Sequence, residues 1–335
     1  MASHTGCASV RPILVALLSF SIIGCRHAPV PPAAPLGPVG TYAASAGLQI
    51  TVFDPDGSRT LTRGHRDWKP VWNLAGDRLA FFRTSKDGGP FITWQSTLMV
   101  VAADGSFERA LTDGAGRDFN PTWTRDGTDR IVFNRYGVAG EPDRCEVWSI
   151  APDGTPGSEV RLSSGDDRYQ WVNAALRDGR LFVDTIDFRR FSPKARSFLV
   201  TPGRPGAAAR YEELERPTTH MWHKLSVSPS ERRVVYMQDR SGTLGDYSDD
   251  LIFWAELDIE GHAVRNPVPV TGSTGRRCVN EYPRWSADES LILFDSSCEG
   301  VARVFAFRLS DGATFPVSPG QREPVMFPCQ QGVPQ

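Results

Sequence analysis

The stretch PTWTRDGTDRIVF at residues 121–133 has the pattern of two short β-strands joined by a tight turn. A proline and a tryptophan precede the Asp-Gly turn, whose glycine accepts the positive φ that such turns require, and a β-branched run follows it. The pattern returns as PVWNLAGDRLAFF at 70–82 and PRWSADESLILF at 283–294. NAALRDGRLFV at 173–183 and LSVSPSERRVVYM at 225–237 keep the turn and the second strand. The opening stretch is therefore one copy of a repeated unit.

Each copy is accompanied by a second half-unit, which is an apolar run, a turn and a short strand ending near Leu-Thr. Clear second halves are LQITVFDPDGSRTLT at 48–62, TLMVVAADGSFERALT at 97–112 and EVWSIAPDGTPGSEVRLS at 146–163, and weaker ones lie at 196–214, 251–271 and 303–318. Equivalent positions at 70, 121, 173, 225, 283 and 324 lie 41 to 58 residues apart. A period of this length in a sequence of strands predicts an all-β protein, a six-bladed β-propeller with four-stranded blades.

The two ends of the repeat region complement each other. After Pro324 only Val325, Met326 and Phe327 remain for a first strand, whereas the region begins with TYAAS at 41–45, which is like a second strand. The sequence therefore predicts a last blade closed by both termini. The propeller is expected to span 41–328, followed by a C-terminal tail at 329–335.

The repeat resembles that of TolB-type β-propellers: Pro-x-Trp-Ser-x-Asp-Gly, an apolar strand, a second apolar run ending in Asp-Gly, and then Leu-Thr. The resemblance covers 41–328 and implies the fold. It does not imply an activity, because similar repeats occur in propellers attached to peptidases and in propeller lyases. The separate domain that precedes the propeller in TolB has no counterpart ahead of these repeats. The TolB role is therefore not carried over.

The N-terminal region has the pattern of a lipoprotein signal. The apolar run PILVALLSFSIIG at 12–24 is too short to span a bilayer and fits the hydrophobic region of a signal peptide over 1–24. Gly24 before Cys25 resembles a lipobox, which predicts lipidation of Cys25; an ordinary signal peptide with a chance cysteine is the alternative. The Pro/Ala-rich segment 25–40 then reads as a tether. Arg26 follows Cys25 where an Asp would signal inner-membrane retention, so we expect an extracytoplasmic protein anchored to the outer membrane if the cell has one.

Composition and charge exclude one class of function. The chain has 335 residues, 40% of them hydrophobic and 23% charged, which is the composition of a globular protein. Its 37 Lys and Arg nearly balance its 39 Asp and Glu. Nucleic-acid binding normally shows as a basic excess or stripe, so we do not expect it here.

Charged residues and histidines recur just before the predicted first strand of each blade, on the face where propellers commonly bind partners. We call this set the predicted rim: Arg66, Asp67, Arg117, Asp118, Asp167, Arg168, His220, His223, Arg276, Arg277, Glu281, Arg322 and Glu323. Two interpretations stay open. The rim is either a set of solvated ion pairs, each worth little, or a recognition face for a peptide, a protein loop or an anionic glycan.

A metal site has only weak support in the sequence. His65, His220 and His223 are grouped on the predicted rim side, but the Hx2H pattern lies outside a helix and lacks the glutamate of the zincin motif. The Asp-Gly turns supply too few oxygens for calcium. We therefore expect no metal and no cofactor, and we interpret the repeated Trp72, Trp123 and Trp285 as fillers between blades.

The cysteines are consistent with an oxidising compartment. Cys278 and Cys298 flank the two adjacent strands of the fifth repeat on one face, which favours a disulfide bond between them. Cys145 and Cys329 are predicted on opposite faces and are not paired.

The combined signals favour a binding or scaffold protein for a protein or peptide partner in the cell envelope, and not an enzyme. No Gly-x-Ser-x-Gly nucleophile motif occurs in the chain. One alternative is a lyase-like propeller enzyme acting on an anionic polysaccharide, with a metal near His65, His220 and His223. The other is a purely structural envelope component.

Overall fold

The computed structural model describes residues 41–63, 66–85, 95–137, 144–163, 169–187, 194–203, 207–218, 222–238, 250–272, 279–298, 303–319 and 321–326. At positions 187, 194–195, 318–319 and 321–326 only the backbone is described. These residues belong to one compact unit, Ala34–Gln335.

The described residues form twenty-four β-strands and no helix. The first twelve strands are β1 (Tyr42–Ala46), β2 (Gln49–Asp54), β3 (Gly57–Thr60), β4 (Arg66–Trp72), β5 (Arg78–Thr84), β6 (Ser96–Ala102), β7 (Glu108–Ala110), β8 (Arg117–Trp123), β9 (Ile131–Tyr136), β10 (Cys145–Ile150), β11 (Val160–Arg161) and β12 (Gln170–Ala175). The others are β13 (Leu181–Asp187), β14 (Lys194–Thr201), β15 (Arg210–Glu213), β16 (Trp222–Val227), β17 (Arg233–Gln238), β18 (Leu251–Asp258), β19 (Ala263–Pro269), β20 (Asn280–Trp285), β21 (Leu291–Ser296), β22 (Arg303–Arg308), β23 (Thr314–Pro319) and β24 (Gln321–Met326). Because no described residue lies in a helix, none contributes to a helix able to cross a membrane.

The strands pair in antiparallel sets of four that follow the repeat in the sequence. The sets are β24-β1-β2-β3, β4 to β7, β8 to β11, β12 to β15, β16 to β19 and β20 to β23. A single parallel bridge between Ser96 and Arg117 joins the second and third sets into one eight-stranded sheet. The all-β fold predicted from the sequence is confirmed.

The first strands of the sets are β4, β8, β12, β16, β20 and β24, and each contacts the next one. Contacts join β4 to β8, β8 to β12, β12 to β16, β16 to β20, β20 to β24 and β24 to β4. Apolar clusters fill the space between adjacent sets. Trp123, for instance, is buried and donates a hydrogen bond from Nε1 to the Val71 carbonyl of the preceding set at 2.9 Å. The interpretation of the repeated tryptophans as fillers is therefore confirmed for Trp123.

The first strands begin earlier than the sequence predicts. Pro70, Pro121 and Pro283 were expected to start them, but β4, β8 and β20 begin three or four residues earlier, at Arg66, Arg117 and Asn280. The reason is that each proline sits at a β-bulge, where the lack of an N–H is tolerated within a strand. Several predicted rim residues are consequently strand residues and not loop residues.

Candidate functional site

The bulges hold residues of unusual backbone conformation. Lys69, Asn120, Lys224 and Tyr282 have φ between 50° and 56° and occupy the same position in four of the first strands. A positive φ is uncommon for a residue other than glycine, and such residues concentrate at functional sites. A bulge also redirects the side chain that it carries.

These four side chains converge, together with two neighbours. The Lys69 ammonium donates a hydrogen bond to Asn120 Oδ1 at 3.1 Å and lies 5.2 Å from the centre of the Tyr282 ring. The Lys224 ammonium lies 3.9 Å from the centre of the same ring. We call the group the inner cluster, and it comprises Lys69, Asn120, Trp171, Lys224, Glu281 and Tyr282.

The inner cluster occupies the space that the first strands surround. Lys69 on β4 contacts Tyr282 on β20, although β24 lies between those strands in the order of contacts. Lys69 also lies 5.0 Å from the ring centre of Trp171 on β12, although β8 lies between β4 and β12. Side chains of strands that are not neighbours can meet only if they point inward.

The charges of the inner cluster are two lysines and one glutamate. Lys224 forms an ion pair with Glu281 on the next first strand. Asn120 is buried, and its Nδ2 donates to the Val172 carbonyl at 2.5 Å and to Asn134 Oδ1 at 3.0 Å. In the inner cluster, Asn120 is therefore fixed by amide hydrogen bonds, whereas Lys224 and Glu281 carry opposite charges that pair with each other.

A second set of side chains meets at the far ends of the first strands, in the turns that follow them. Arg125 and Arg177 both donate to the Pro229 carbonyl at 2.8 Å, and Arg125 lies 3.4 Å from the Glu231 carboxylate. Arg125 belongs to the third set of strands, whereas Pro229 and Glu231 belong to the fifth. These turn residues, which we call the base cluster, therefore cross the interior at the end opposite the predicted rim.

Besides Glu281 of the inner cluster, two acids of the predicted rim are buried. Asp67 and Asp118 are 0% and 1% exposed and are bound by arginines of the adjacent strand. Arg83 donates to Asp67 at 2.7 and 3.1 Å, and Arg135 donates to Asp118 at 2.7 and 2.9 Å. The expectation that these acids lie in rim loops is corrected: they lie in strands, where a bidentate arginine offsets the cost of burying each carboxylate.

Each of these pairs has a third member that sequence reasoning missed. Glu108 accepts from Arg83 at 2.6 Å, and Glu159 accepts from Arg135 at 2.9 and 3.0 Å. Burial acts to lower the pKa of both arginines, but the hydrogen bonds with the carboxylates outweigh it and raise both pKa values. The sequence did contain a signal for these two glutamates, because both stand shortly before the recurring Leu-Thr or Leu-Ser of their repeats.

Arg117 differs from the neighbouring Asp118. It is partly exposed, and its guanidinium carbon lies 3.9 Å from the centre of the Tyr136 ring. Burial lowers the pKa of Arg117, while Tyr136, Cys145 and Tyr169 act in the opposite direction. Arg66 is also partly exposed, as the first residue of β4. The two arginines can therefore face a partner, whereas the adjacent acids cannot.

His223 lies on β16, and its Nε2 is 2.9 Å from Asp250 Oδ2. Within the described ranges no group of three or more His, Cys, Asp or Glu side chains is placed to hold a metal ion. The metal candidates His65 and His220 lie outside those ranges.

The remaining predicted residues are not all described. Cys25, His65, Asp167, Arg168, His220, Arg276, Arg277, Cys278 and Cys329 lie outside the described residues, and Arg322 and Glu323 lie in β24, where only the backbone is described. Cys298 is disulfide-bonded to a cysteine outside the described residues, so its pairing with Cys278 stays a prediction. Cys145 is buried and not in a disulfide bond.

Comparisons with known proteins agree on the fold. No protein-family model matches the chain. Dipeptidyl-peptidase 5 of Porphyromonas endodontalis is 34% identical over 96 residues, which are 28% of this chain and 13% of that protein. Three solved structures are similar over most of this chain, at identities that show the fold alone. TolB from Acinetobacter baumannii has a TM-score of 0.59 and 13% identity over 85% of this chain and 65% of its own.

The second structure is a hydrazine synthase from Kuenenia stuttgartiensis, with a TM-score of 0.62 and 14% identity over 86% of this chain and 47% of its own. The third is from a nidogen/laminin complex, with a TM-score of 0.53 and 10% identity over 82% of this chain and 92% of its own. The chain thus spans less than two thirds of the peptidase, the TolB protein and the synthase. The fold is that of a TolB-like β-propeller.

Proposed function

We propose that the protein is a lipid-anchored, extracytoplasmic β-propeller that binds a protein or peptide partner in the cell envelope. The observation that carries this proposal is the inner cluster, in which cationic, amide and aromatic side chains from five first strands converge. Aromatic side chains such as Trp171 and Tyr282 are enriched at the centres of protein interfaces. The base cluster lies at the other end of the interior, so a partner is expected to approach from the predicted rim.

The proposed propeller has six blades, the last closed by both termini. Support comes from the six sets of four strands and from the pairing of β24 with β1. Each of the six first strands also contains a bulge, as is expected if the six sets are copies of one repeat.

The binding face in this proposal is the predicted rim without Asp67 and Asp118. Among the rim residues that the structure describes, the arginines Arg66 and Arg117 are partly exposed. Asp67 and Asp118 are buried beneath this face and hold Arg83 and Arg135 in place. The other rim residues stay part of the proposed face.

Co-purification from detergent-solubilised membranes tests the function. A tagged wild-type protein is compared with a rim variant, Arg66→Gln with Arg276→Gln and Arg277→Gln, and with a control in which the exposed Arg59 and Arg265 of outer strands become Gln. We expect a protein partner to be recovered with the wild type and the control, and at least fivefold less with the rim variant. Recovery of no enriched protein with the wild type contradicts the proposal.

Lipid anchoring has its own test. Cys25→Ser removes the thiol that would carry the lipid, so we expect this variant to move from the membrane fraction to the soluble fraction and to lose labelling by a radioactive fatty acid. Cys7→Ser is the matched control, since Cys7 lies within the predicted signal peptide. Membrane retention of an unlabelled wild-type protein would argue against the anchor.

A further inference from the structure

The two ends of the first strands differ in how the rest of the chain is joined to them. Tyr42, the first residue of β1, pairs with Met326, the last residue of β24. Ala46, the last residue of β1, pairs with Gln321, the first residue of β24. The polypeptide therefore enters this sheet before Tyr42 and leaves it after Met326 at one and the same end, which we call the entry end.

The entry end is opposite the predicted rim. The hairpin at the other end of β1 contacts the beginning of β4, where the predicted rim lies. The backbone N–H of Asp67 donates to the Leu48 carbonyl at 3.1 Å, and Ser45 Oγ donates to the Asp67 carbonyl at 2.6 Å. Because β1 runs from Tyr42 at the entry end to Ala46 beside this hairpin, its length separates the entry end from the predicted rim.

Contacts between turns place the entry end level with the base cluster. The Tyr42 ring stacks on that of Phe53 at 5.0 Å, just before the turn between β2 and β3. Arg59, just after that turn, donates from Nη2 to the Ala103 carbonyl at 3.0 Å. The N–H of Ala103 donates to the Asp77 carbonyl at 2.8 Å, in the turn that follows β4. The base cluster is formed by the corresponding turns after β8, β12 and β16, so it lies at the same end as the chain entry.

The length of the predicted tether makes this placement consequential. Residues 26–40 are the fifteen residues that join the proposed lipid anchor to the entry end. A flexible chain of fifteen residues has a root-mean-square end-to-end distance of about 19–23 Å. The seven residues of β4 span about 23 Å from the rim to the base. A rim turned toward the membrane would therefore take up the whole average reach of the tether along the side of the propeller, at a cost in chain entropy that the reverse orientation avoids.

We propose that the base end faces the anchoring membrane and that the predicted rim and the inner cluster face away from it. The partner is then a protein that approaches from the side away from that membrane, and not one held beside the lipid anchor. This inference rests on the proposed function, because it takes both the anchor at Cys25 and the binding face at the rim from it.

Energy transfer to a membrane dye tests the orientation. In one full-length variant p-azidophenylalanine replaces Phe107, in a turn at the base end, and in another it replaces Leu48, in the hairpin at the rim; these side chains are 44% and 38% exposed. A coumarin donor is coupled to the azide, and the lipidated protein is bound to vesicles of phosphatidylethanolamine and phosphatidylglycerol that contain a rhodamine lipid. We expect the transfer efficiency to be at least twofold higher from position 107 than from position 48.

The matched control is the same pair of labels in a Cys25→Ser background, which should show no transfer from either position because the protein stays in solution. Equal transfer from the two positions of the lipidated protein, or more transfer from position 48, would overturn the orientation and leave the anchor standing. A wild-type protein that carries no lipid overturns the proposed anchor and, with it, this inference.

Photochemical crosslinking in cells tests the direction from which the partner approaches. With p-benzoylphenylalanine at position 48, we expect at least fivefold more partner protein to be crosslinked than with the same residue at position 107. Partner crosslinked mainly at position 107 contradicts the rim as the binding face, and therefore the proposed function. Partner crosslinked at position 48 together with more energy transfer from position 48 means that the rim binds but faces the membrane, so that only the further inference fails.

Discussion

Asp184 is a carboxyl group surrounded by neutral donors in the interior of the fourth set of strands. Its Oδ1 accepts from Ser197 Oγ at 2.5 Å, and its Oδ2 accepts from Asn173 Nδ2 at 2.8 Å. Trp222 extends this network by donating to Ser197 Oγ at 2.7 Å. Burial raises the pKa of Asp184, while these hydrogen bonds and the charge of Arg216 act in the opposite direction. The ionised form is therefore less favourable in the folded protein than in the unfolded chain.

Asp184 therefore destabilises the folded protein increasingly as pH rises. Below the unfolded pKa of about 3.8 both states hold the proton, and above it the folded protein retains a proton that the unfolded chain has lost. We expect Asp184→Asn, which has no proton to lose, to gain stability relative to the wild type as pH rises from about 4 toward 7. The gain is about 1.4 kcal/mol for each unit by which folding raises the pKa. Urea titrations at several pH values measure it.

Asp104→Asn supplies the opposite sign as a control. Hydrogen bonds from Ser106 lower the pKa of Asp104, so that its stabilising effect is present above the unfolded pKa and is lost as pH falls through the folded one. The relative stability of this variant should fall with rising pH over the acid range. Parallel slopes for the two variants would show that Asp184 does not titrate as stated.

At the scale of strands and turns, the structure separates what local patterns determine from what they do not. Asp-Gly turns, apolar runs and their period were sufficient for the strands and their order, because turn chemistry and side-chain alternation act over a few residues. The bulges were not predictable in this way. In the sequence, Pro70 and Pro121 resemble the first residues of strands. The residues before each proline are recognised as part of the strand only from their pairing with β5 and β9.

For the same reason, the exposure of the predicted rim residues could be predicted only in part. Arg117 was expected at the surface and is partly exposed, but Asp118 was expected in an exposed loop and is buried. Its burial depends on Arg135, seventeen residues later, in the next strand. Lys69 and Tyr282 were missed, since only the assembled first strands bring their side chains together.

The β1–β2 hairpin offers a test of turn chemistry. Its two-residue loop is Gly47-Leu48, with φ values of 58° and 69°, and Ala46 pairs with Gln49 across it. A leucine with positive φ is strained, and such turns prefer glycine at this place. We expect Leu48→Gly to raise the free energy of unfolding by about 1 kcal/mol, measured by urea denaturation. Leu48→Ala keeps the Cβ and should give no such gain; an equal gain in both would mean that removal of an exposed apolar side chain is the cause.

For the whole molecule, the decisive element is β24. It pairs with β1 across the ends of the described chain and also contacts β20 and β4. In the proposed propeller it completes the contacts among the first strands, so that the sets at either end of the chain stabilise each other. A four-stranded sheet that lost this strand would expose β1 as an edge beside the buried Tyr42 and Ala44.

Deletion of residues 321–335 removes β24 and tests this dependence. We expect the free energy of unfolding to fall by more than about 4 kcal/mol, which exceeds the usual effect of a single substitution, and the unfolding transition to broaden as the sets at the two ends uncouple. Deletion of 327–335 leaves β24 in place and should change stability little. A synthetic peptide of residues 319–335, added to the shorter protein, should pair with β1 as an added strand and restore most of the lost stability in a concentration-dependent way. A shortened protein that unfolds like the full chain, or a peptide that restores nothing, would mean that β24 does not link the two ends energetically.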